Sequence, residues 1–345
     1  MTGILYALLS AALFGLSAPL AKLLLGAVSP WLLAGLLYLG SGLGLALVRL
    51  FWRSGEAGLK RADLPWFAGA VLFGGVAGPV LMLFGLASIH AGPAALLLNL
   101  ESVLTLGIAW IVFRENVDRR LLVGAAAIVF GAIVLAAPQD GALAFDVGTA
   151  SGPLLIAAAC LCWAIDNNLT RKVSAADPTQ IAMVKGLAAG GVNVALALAT
   201  GAAWPTAGTL AGAGLLGFFS YGISLTAFVL ALRHLGTART GAYYATAPFI
   251  GAAVAIPLLG EPVTLTFLAG GALMAIGLWL HLTEQHGHTH AHEPMEHEHM
   301  HVHDAHHRHT HAHDPGPAAH SHPHAHGALV HKHRHYPDLH HRHSH

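Results

Sequence analysis

The sequence predicts an all-α membrane protein: ten transmembrane helices arranged as two inverted five-helix repeats, followed by a disordered tail. Three observations carry this. The 345 residues are 55% hydrophobic and 10% charged, with a mean hydropathy of +0.60, against roughly 25% charged for a soluble domain. Ten apolar segments are long enough to cross a bilayer as helices, at about 3–23, 30–50, 64–86, 92–113, 119–137, 153–172, 180–200, 209–232, 239–259 and 263–282. The chain also repeats itself, Leu13 to Lys22 aligning with Cys162 to Arg171 and Phe113-Arg114-Glu115-Asn116 with Leu259-Gly260-Glu261-Pro262. The halves are therefore 1–138 and 151–283, and 284–345 is the tail. Because each half holds an odd number of helices, the second must be inserted upside down relative to the first. That is a carrier design, with a substrate site at the interface of the halves near the midplane.

The first segment begins almost at Met1 with neither a basic leader nor a small-residue cleavage signal, so it is expected to be a retained helix. Short connections imply antiparallel neighbours. If the segments alternate, Arg49, Arg53, Lys60, Arg61, Arg114, Arg119, Arg120, Arg171, Lys172, Arg233 and Arg239 share one side, and the opposite loops hold almost no basic residue beyond Lys22. That side is the cytoplasm, which puts both termini inside a cell membrane of the bacterial inner-membrane type. Small residues four apart, as at Gly186/Gly190, let helix backbones approach closely. Cys160 and Cys162 are too near each other for a good disulfide, so packing is their expected role.

The formal charge of +0 divides into +3 up to Thr283 and −3 beyond it, and no basic surface for nucleic acid is expected. No Gly-rich phosphate loop ending in Lys-Ser/Thr occurs, and no Ser/His/Asp or two-metal set falls in the membrane domain, so an enzyme is not expected. No cofactor is required on this reading; the expected partners are a small-molecule substrate and the lipid bilayer.

The fourth segment carries Glu101 near its middle. An ionisable group there costs several kcal/mol in lipid, so it is expected to face a water-filled cavity or a partner. Ser102 and Thr105 share its face at roughly 100° per residue, with Asn99 at the edge. On the sixth segment Cys162, Trp163, Asp166, Asn167 and Thr170 form a second polar face, and Lys185 at the start of the next segment is within reach of Asp166. Both a structural ion pair and a substrate or proton role are open to Asp166. Tyr243, Tyr244, Trp163 and Trp110 are candidates to bound a cavity for an apolar or aromatic substrate, or to anchor at the interface. Lys22 is expected to snorkel to the surface.

Taken together, the ten-helix hydropathy, the Phe14-Gly15 and Trp163-Ala164 pairs, the Asn99-Leu100-Glu101-Ser102-Val103 segment, and Glu115 and Glu261 closing the fourth helix of each half resemble the EamA-type family of the drug/metabolite transporter superfamily. The resemblance covers about 1–283. It implies a five-plus-five carrier with a central cavity, usually exporting amino acids or other small metabolites, and helix-end roles for Glu115 and Glu261. One departure stands out. Where the first half has Glu101-Ser102, the second reads Ala247-Pro248, so the acid has no symmetry mate.

From about Glu284 the composition changes. Of 27 His, 25 lie at or beyond His281, in runs that include His286, His288, His290 and His292, then His299, His301 and His303, then His331, His333 and His335, and finally His343 and His345. Too few apolar residues are present to form a core, so disorder is expected. Alternate imidazoles with interleaved Asp and Glu can bind zinc, nickel, copper or cobalt ions. The leading expectation is a secondary transporter exporting a small metabolite across the cytoplasmic membrane, with amino acids among the candidate classes. The competing one is a divalent transition-metal efflux protein or a metal-responsive membrane regulator that uses the tail.

Overall fold

The computed structural model describes residues 2–51, 58–113, 117–137, 147–173 and 176–283, and in the tail 287–292, 295–301, 320–326 and 329–334. Among these residues nine helical stretches are long and apolar enough to span a membrane, and Ala247–Leu259 is a shorter apolar helix. The first span is α1 (Thr2–Gly15) and α2 (Ser17–Leu24), broken at Leu16, and the second is α3 (Pro30–Phe51). The third comprises α4 (Leu64–Ala70), a π-helical turn at Val71–Ala77 and α5 (Gly78–Ser88). The fourth is α6 (Ala91–Leu97) and α7 (Leu100–Phe113), broken at Leu98 and Asn99, and the fifth is α8 (Arg119–Ala136).

The second half begins with α9 (Val147–Val173) and α10 (Pro178–Ala199) as spans six and seven. Then come α11 (Ala207–Gly217), a π-helical turn at Phe218–Ile223, α12 (Ser224–Tyr244), α13 (Ala247–Leu259) and α14 (Leu265–Leu282). The helix α12 holds a reversal. Sixteen residues of straight helix would separate Phe228 from Tyr244 by about 24 Å, yet their rings stand 4.7 Å apart. The chain therefore turns back between them, and Tyr244 belongs to the ninth crossing with α13.

Helix contacts follow a pseudo-twofold. Span 2 packs on 7 (α3 on α10), span 5 on 10 (α8 on α14) and span 4 on 9 (α6 on α13). Span 1 packs on 8 (α1 on α12), and its symmetry counterpart, span 6, packs on 3 (α9 on α5). Gly186 and Gly190 of α10 lie against the backbone of α3 at Gly42 and Leu39, where a Cβ would collide, as their spacing suggests. Between spans 1 and 8, Ser10 and Ser224 exchange hydrogen bonds to each other's carbonyls at 2.7 and 2.9 Å. Such polar contacts fix register where lipid offers no hydrophobic driving force.

Two charged side chains meet helix ends. The Lys22 ammonium donates to the Leu86 and Ile89 carbonyls at 2.5 and 2.8 Å, taking up acceptors that the end of α5 leaves unpaired. Glu261, just past α13, accepts from the backbone N–H groups of Ala91 and Gly92 at 2.5 and 2.8 Å. It thus caps the start of span 4 with an anion from the other half, at the positive end of the helix. Its repeat mate Glu115 lies outside the described residues.

In the tail the described residues form two antiparallel ladders, β1 (Gly287–His292) with β4 (Leu329–Arg334) and β2 (Met295–His301) with β3 (His320–His326). Low apolar content predicts disorder here. The pairing is made by backbone hydrogen bonds, which do not require a hydrophobic core.

Candidate functional site at the interface of the halves

The candidate site grows from irregularities in the helices. At Leu98 and Asn99 the α-helical ladder of span 4 lapses, two residues before Glu101. Side chains meet the carbonyls at the break: Asn99 Nδ2 donates to Leu96 O at 2.9 Å beside the Asn99 backbone N–H at 3.0 Å, and the Cys160 thiol donates to Leu97 O at 3.7 Å. Asn99 is therefore buried and occupied with the break itself. Ser102 likewise donates to Asn99 O at 2.7 Å. Thr105 Oγ1 is buried and has no hydrogen-bond partner among the described residues.

Glu101 meets the second half directly, because Asn167 Nδ2 of α9 donates to its Oε1 at 2.7 Å. Asn167 is exposed and Glu101 partly so, although Glu101 sits midway along its span. The Glu101–Asn167 pair is thus not sealed inside the packed helices. One residue before Asn167, Asp166 is buried and ion-paired with Lys185 of α10, and Thr170 donates to its Oδ1 at 2.9 Å. A Cβ at Gly74 would overlap the Asp166 carboxylate, so the residue there must be glycine for span 3 to close on span 6. The π-helical turn that contains Gly74 frees carbonyls, and they are used: Gly74 O accepts from Tyr38 Oη at 2.7 Å and Trp163 Nε1 at 3.1 Å, and Gly75 O accepts from Asn193 at 3.1 Å.

Beside this polar set lies an aromatic wall. Phe14 of α1 has ring-centroid distances of 6.4 Å to Trp163, 5.9 Å to Tyr221 and 5.5 Å to Tyr244, and Tyr38 stands 5.3 Å from Tyr221. Phe14 and Trp163 are repeat mates in the sequence alignment, and they touch, as residues near a pseudo-twofold axis should. Glu101 is in electrostatic reach of Tyr244 and Tyr38.

Of the residues singled out in the sequence, Glu101, Trp163, Asp166, Asn167 and Lys185 come together, with Asn99, Ser102 and Thr105 next to them. Of the two candidate tyrosines Tyr243 and Tyr244, Tyr244 has its ring in the wall, 5.5 Å from Phe14. Trp110 is half exposed and stands outside the wall. Phe14, Tyr38 and Tyr221 were not singled out as site residues. The only available signal was the alignment of Phe14 with Trp163, since each otherwise reads as one more apolar residue of a span.

In the tail, His288 stands opposite His333 and His290 opposite His331, and His299 opposite His322 and His301 opposite His320. His292 falls on β1. His286, His303, His335, His343 and His345 lie outside the described residues. Among the described residues no three His, Cys, Asp or Glu side chains converge as a metal site.

Comparison with known proteins gives one family. The profile of the EamA-like transporter family matches residues 1–137 and 150–283. An uncharacterized transporter of Methanothermobacter thermautotrophicus is 27% identical over 281 residues, covering 77% of this chain and 82% of its own. A solved structure, described only as the crystal structure of a protein, shares the fold with a TM-score of 0.62 at 20% identity, over 81% of this chain and 95% of its own.

Proposed function

Because the chain belongs to the EamA-like transporter family, we propose that it is a secondary transporter that exports a small metabolite across the cytoplasmic membrane by alternating access, with Glu101 as the coupling group. One observation carries the coupling role: Glu101 is an intramembrane carboxyl at the interface of the halves, open to the cleft and held by the neutral amide of Asn167, while Lys185 is engaged with Asp166. A group so placed can exchange a proton or a charged substrate with whichever side the cleft faces. Asn99, Ser102, Thr105, Trp163, Asn167 and Tyr244 are the proposed substrate-binding set around it, and the Asp166–Lys185 pair holds the inner wall. Amino acids are one substrate class of suitable size.

The contacts favour a cleft that opens at one end. The α6 end of span 4 packs on α13, whereas α7 leans on α8 and α9, so spans 4 and 9 converge near Glu261 and part toward Phe113. With the basic loops inside, this opening faces the cytoplasm and both termini are cytoplasmic. The test is reconstitution in vesicles with an imposed pH gradient. Replacing Glu101 with Gln is expected to abolish gradient-driven uptake, and unchanged uptake removes Glu101 from coupling.

We further read the tail as a segment that binds zinc, nickel, copper or cobalt, supported by the cross-strand histidine register. Deleting 284–345 is expected to lower metal binding by the purified protein while leaving metabolite transport intact. Loss of transport, with metal tolerance changed in parallel, would favour metal efflux instead.

A further inference from the structure

Resting on the reading of the tail as a metal-binding segment, we propose that the strand register there builds two ribbons faced with histidine pairs, and that a late transition-metal ion bound on those faces holds each ribbon together. The registers carry the inference. In β1–β4, His288 faces His333 and His290 faces His331. In β2–β3, His297 faces His324, His299 faces His322 and His301 faces His320. Both ladders keep one register: eight residues inward from the facing pair Gly287 and Arg334 lie Met295 and His326, which again face each other.

Residues two apart on a strand share a face, so each ladder sorts its residues. One face of β1–β4 holds His288, His290 and His292 against His333, His331 and Leu329, and the other holds Lys332 and Arg334. In β2–β3 the face of His297, His299 and His301 carries only histidine and Met295, while Glu296 and Glu298 fall on the other face. The register decides this. A slip by one residue would set His288 against Lys332 or Arg334 and His299 against Ser321 or Pro323, and no histidine of either ladder would face another.

Facing residues have Cβ atoms about 4.5–5.5 Å apart, and neighbours two apart on one strand are separated by about 7 Å. Two adjacent pairs, such as His299 with His322 and His301 with His320, therefore place four histidines at the corners of one small rectangle. An ion that takes three or four imidazole nitrogens at about 2.0–2.1 Å draws them in from those corners. The histidine faces carry no carboxylate. That suits zinc, nickel, copper or cobalt, and not calcium or magnesium, whose ligands are oxygens.

Energetics give the ion a second task. A two-stranded ribbon is marginal in water by itself, and these strands hold few apolar residues from which to make a core. An ion shared between facing histidines supplies the missing cross-link, so the free energy of binding becomes free energy of ordering. The tail then closes from an open chain into paired ribbons as the ion concentration rises. Such a device reads metal on the side of the membrane where α14 ends, without passing the ion through the helices.

The experiment uses the purified full chain with zinc(II) as the probe. Calorimetric titration reads binding, and deuterium exchange followed by mass spectrometry reads strand pairing in peptides covering 287–301 and 320–334. Zinc is expected to slow exchange in both regions by about tenfold or more, a chelator to reverse this, and magnesium to have no such effect. The decisive variant keeps composition and changes only the face: His331→Lys with Lys332→His, and His333→Arg with Arg334→His. It is expected to weaken zinc binding at β1–β4 by about tenfold or more and to lose the zinc-dependent protection of 287–292 and 329–334. Lys332→Ala with Arg334→Ala, confined to the other face, is expected to keep both. Zinc bound without any slowing of exchange, equal slowing by magnesium, or the face-exchanged variant behaving as the native chain overturns the ribbon sites while leaving metal binding by the tail in place. A full chain that binds no zinc removes both readings.

Discussion

Asp166 and Lys185 show how a membrane interior treats charge. Each is nearly sealed from water and pairs with the other, so removing either one strands its partner. Asp166→Asn or Lys185→Met is expected to destabilise the protein by about 3–5 kcal/mol, and the double replacement by less than either alone. Thermal unfolding in detergent reads all three. Thr105 is the opposite case, a buried hydroxyl with no partner among the described residues. Thr105→Val is expected to leave the melting temperature unchanged or slightly higher, yet to weaken substrate binding if, as proposed, the hydroxyl contacts substrate. Unchanged affinity in that variant would take Thr105 out of the substrate set.

Elements meet their ends through partners from elsewhere in the chain. Glu261 of the second half caps α6 of the first, and Lys22 of span 1 caps α5. Replacing Glu261 with Ala is expected to cost about 1–2 kcal/mol as a lost cap. Because the contact also joins spans 4 and 9, spin labels at their Glu261 ends should read a longer and broader distance in this variant, and an unchanged distance would reduce Glu261 to a local cap. The irregular turns also obey the repeat. The offset that carries Glu101 to Ala247 is 146 residues, and it carries Val71–Ala77 onto 217–223, within one residue of the second π-helical turn at Phe218–Ile223. The same offset takes the break at Leu98 and Asn99 onto 244 and 245, beside the break before α13. Such turns free carbonyls for side chains, a recurrent feature of functional sites.

At the scale of the whole molecule, the pairing of spans 1 with 8 and 3 with 6 interlocks the halves instead of setting two separate bundles side by side. Movement between states must therefore repack helix pairs shared by both halves, and the parting of α7 from α13 marks one place where closure can occur. The proposed orientation makes a direct prediction: single cysteines introduced at the N-terminus and in the tail should both react with an impermeant thiol reagent only after the cytoplasmic face is opened. Labelling of the two from opposite sides would end the inverted-repeat arrangement.

The sequence by itself determined that this chain spans a membrane, in ten apolar segments and two inverted halves, because hydropathy and repetition are properties of composition and order that need no third dimension. It also singled out Glu101, Asp166, Asn167 and Lys185, because a polar residue in an apolar span is conspicuous wherever it points. Only the tertiary structure decided that Asn167 holds Glu101, that Lys185 is engaged by Asp166, and that Phe14, Tyr38, Tyr221 and Tyr244 form the wall beside them. Aromatic residues are at home anywhere in a span, so their roles are set by the docking of helices far apart in the chain.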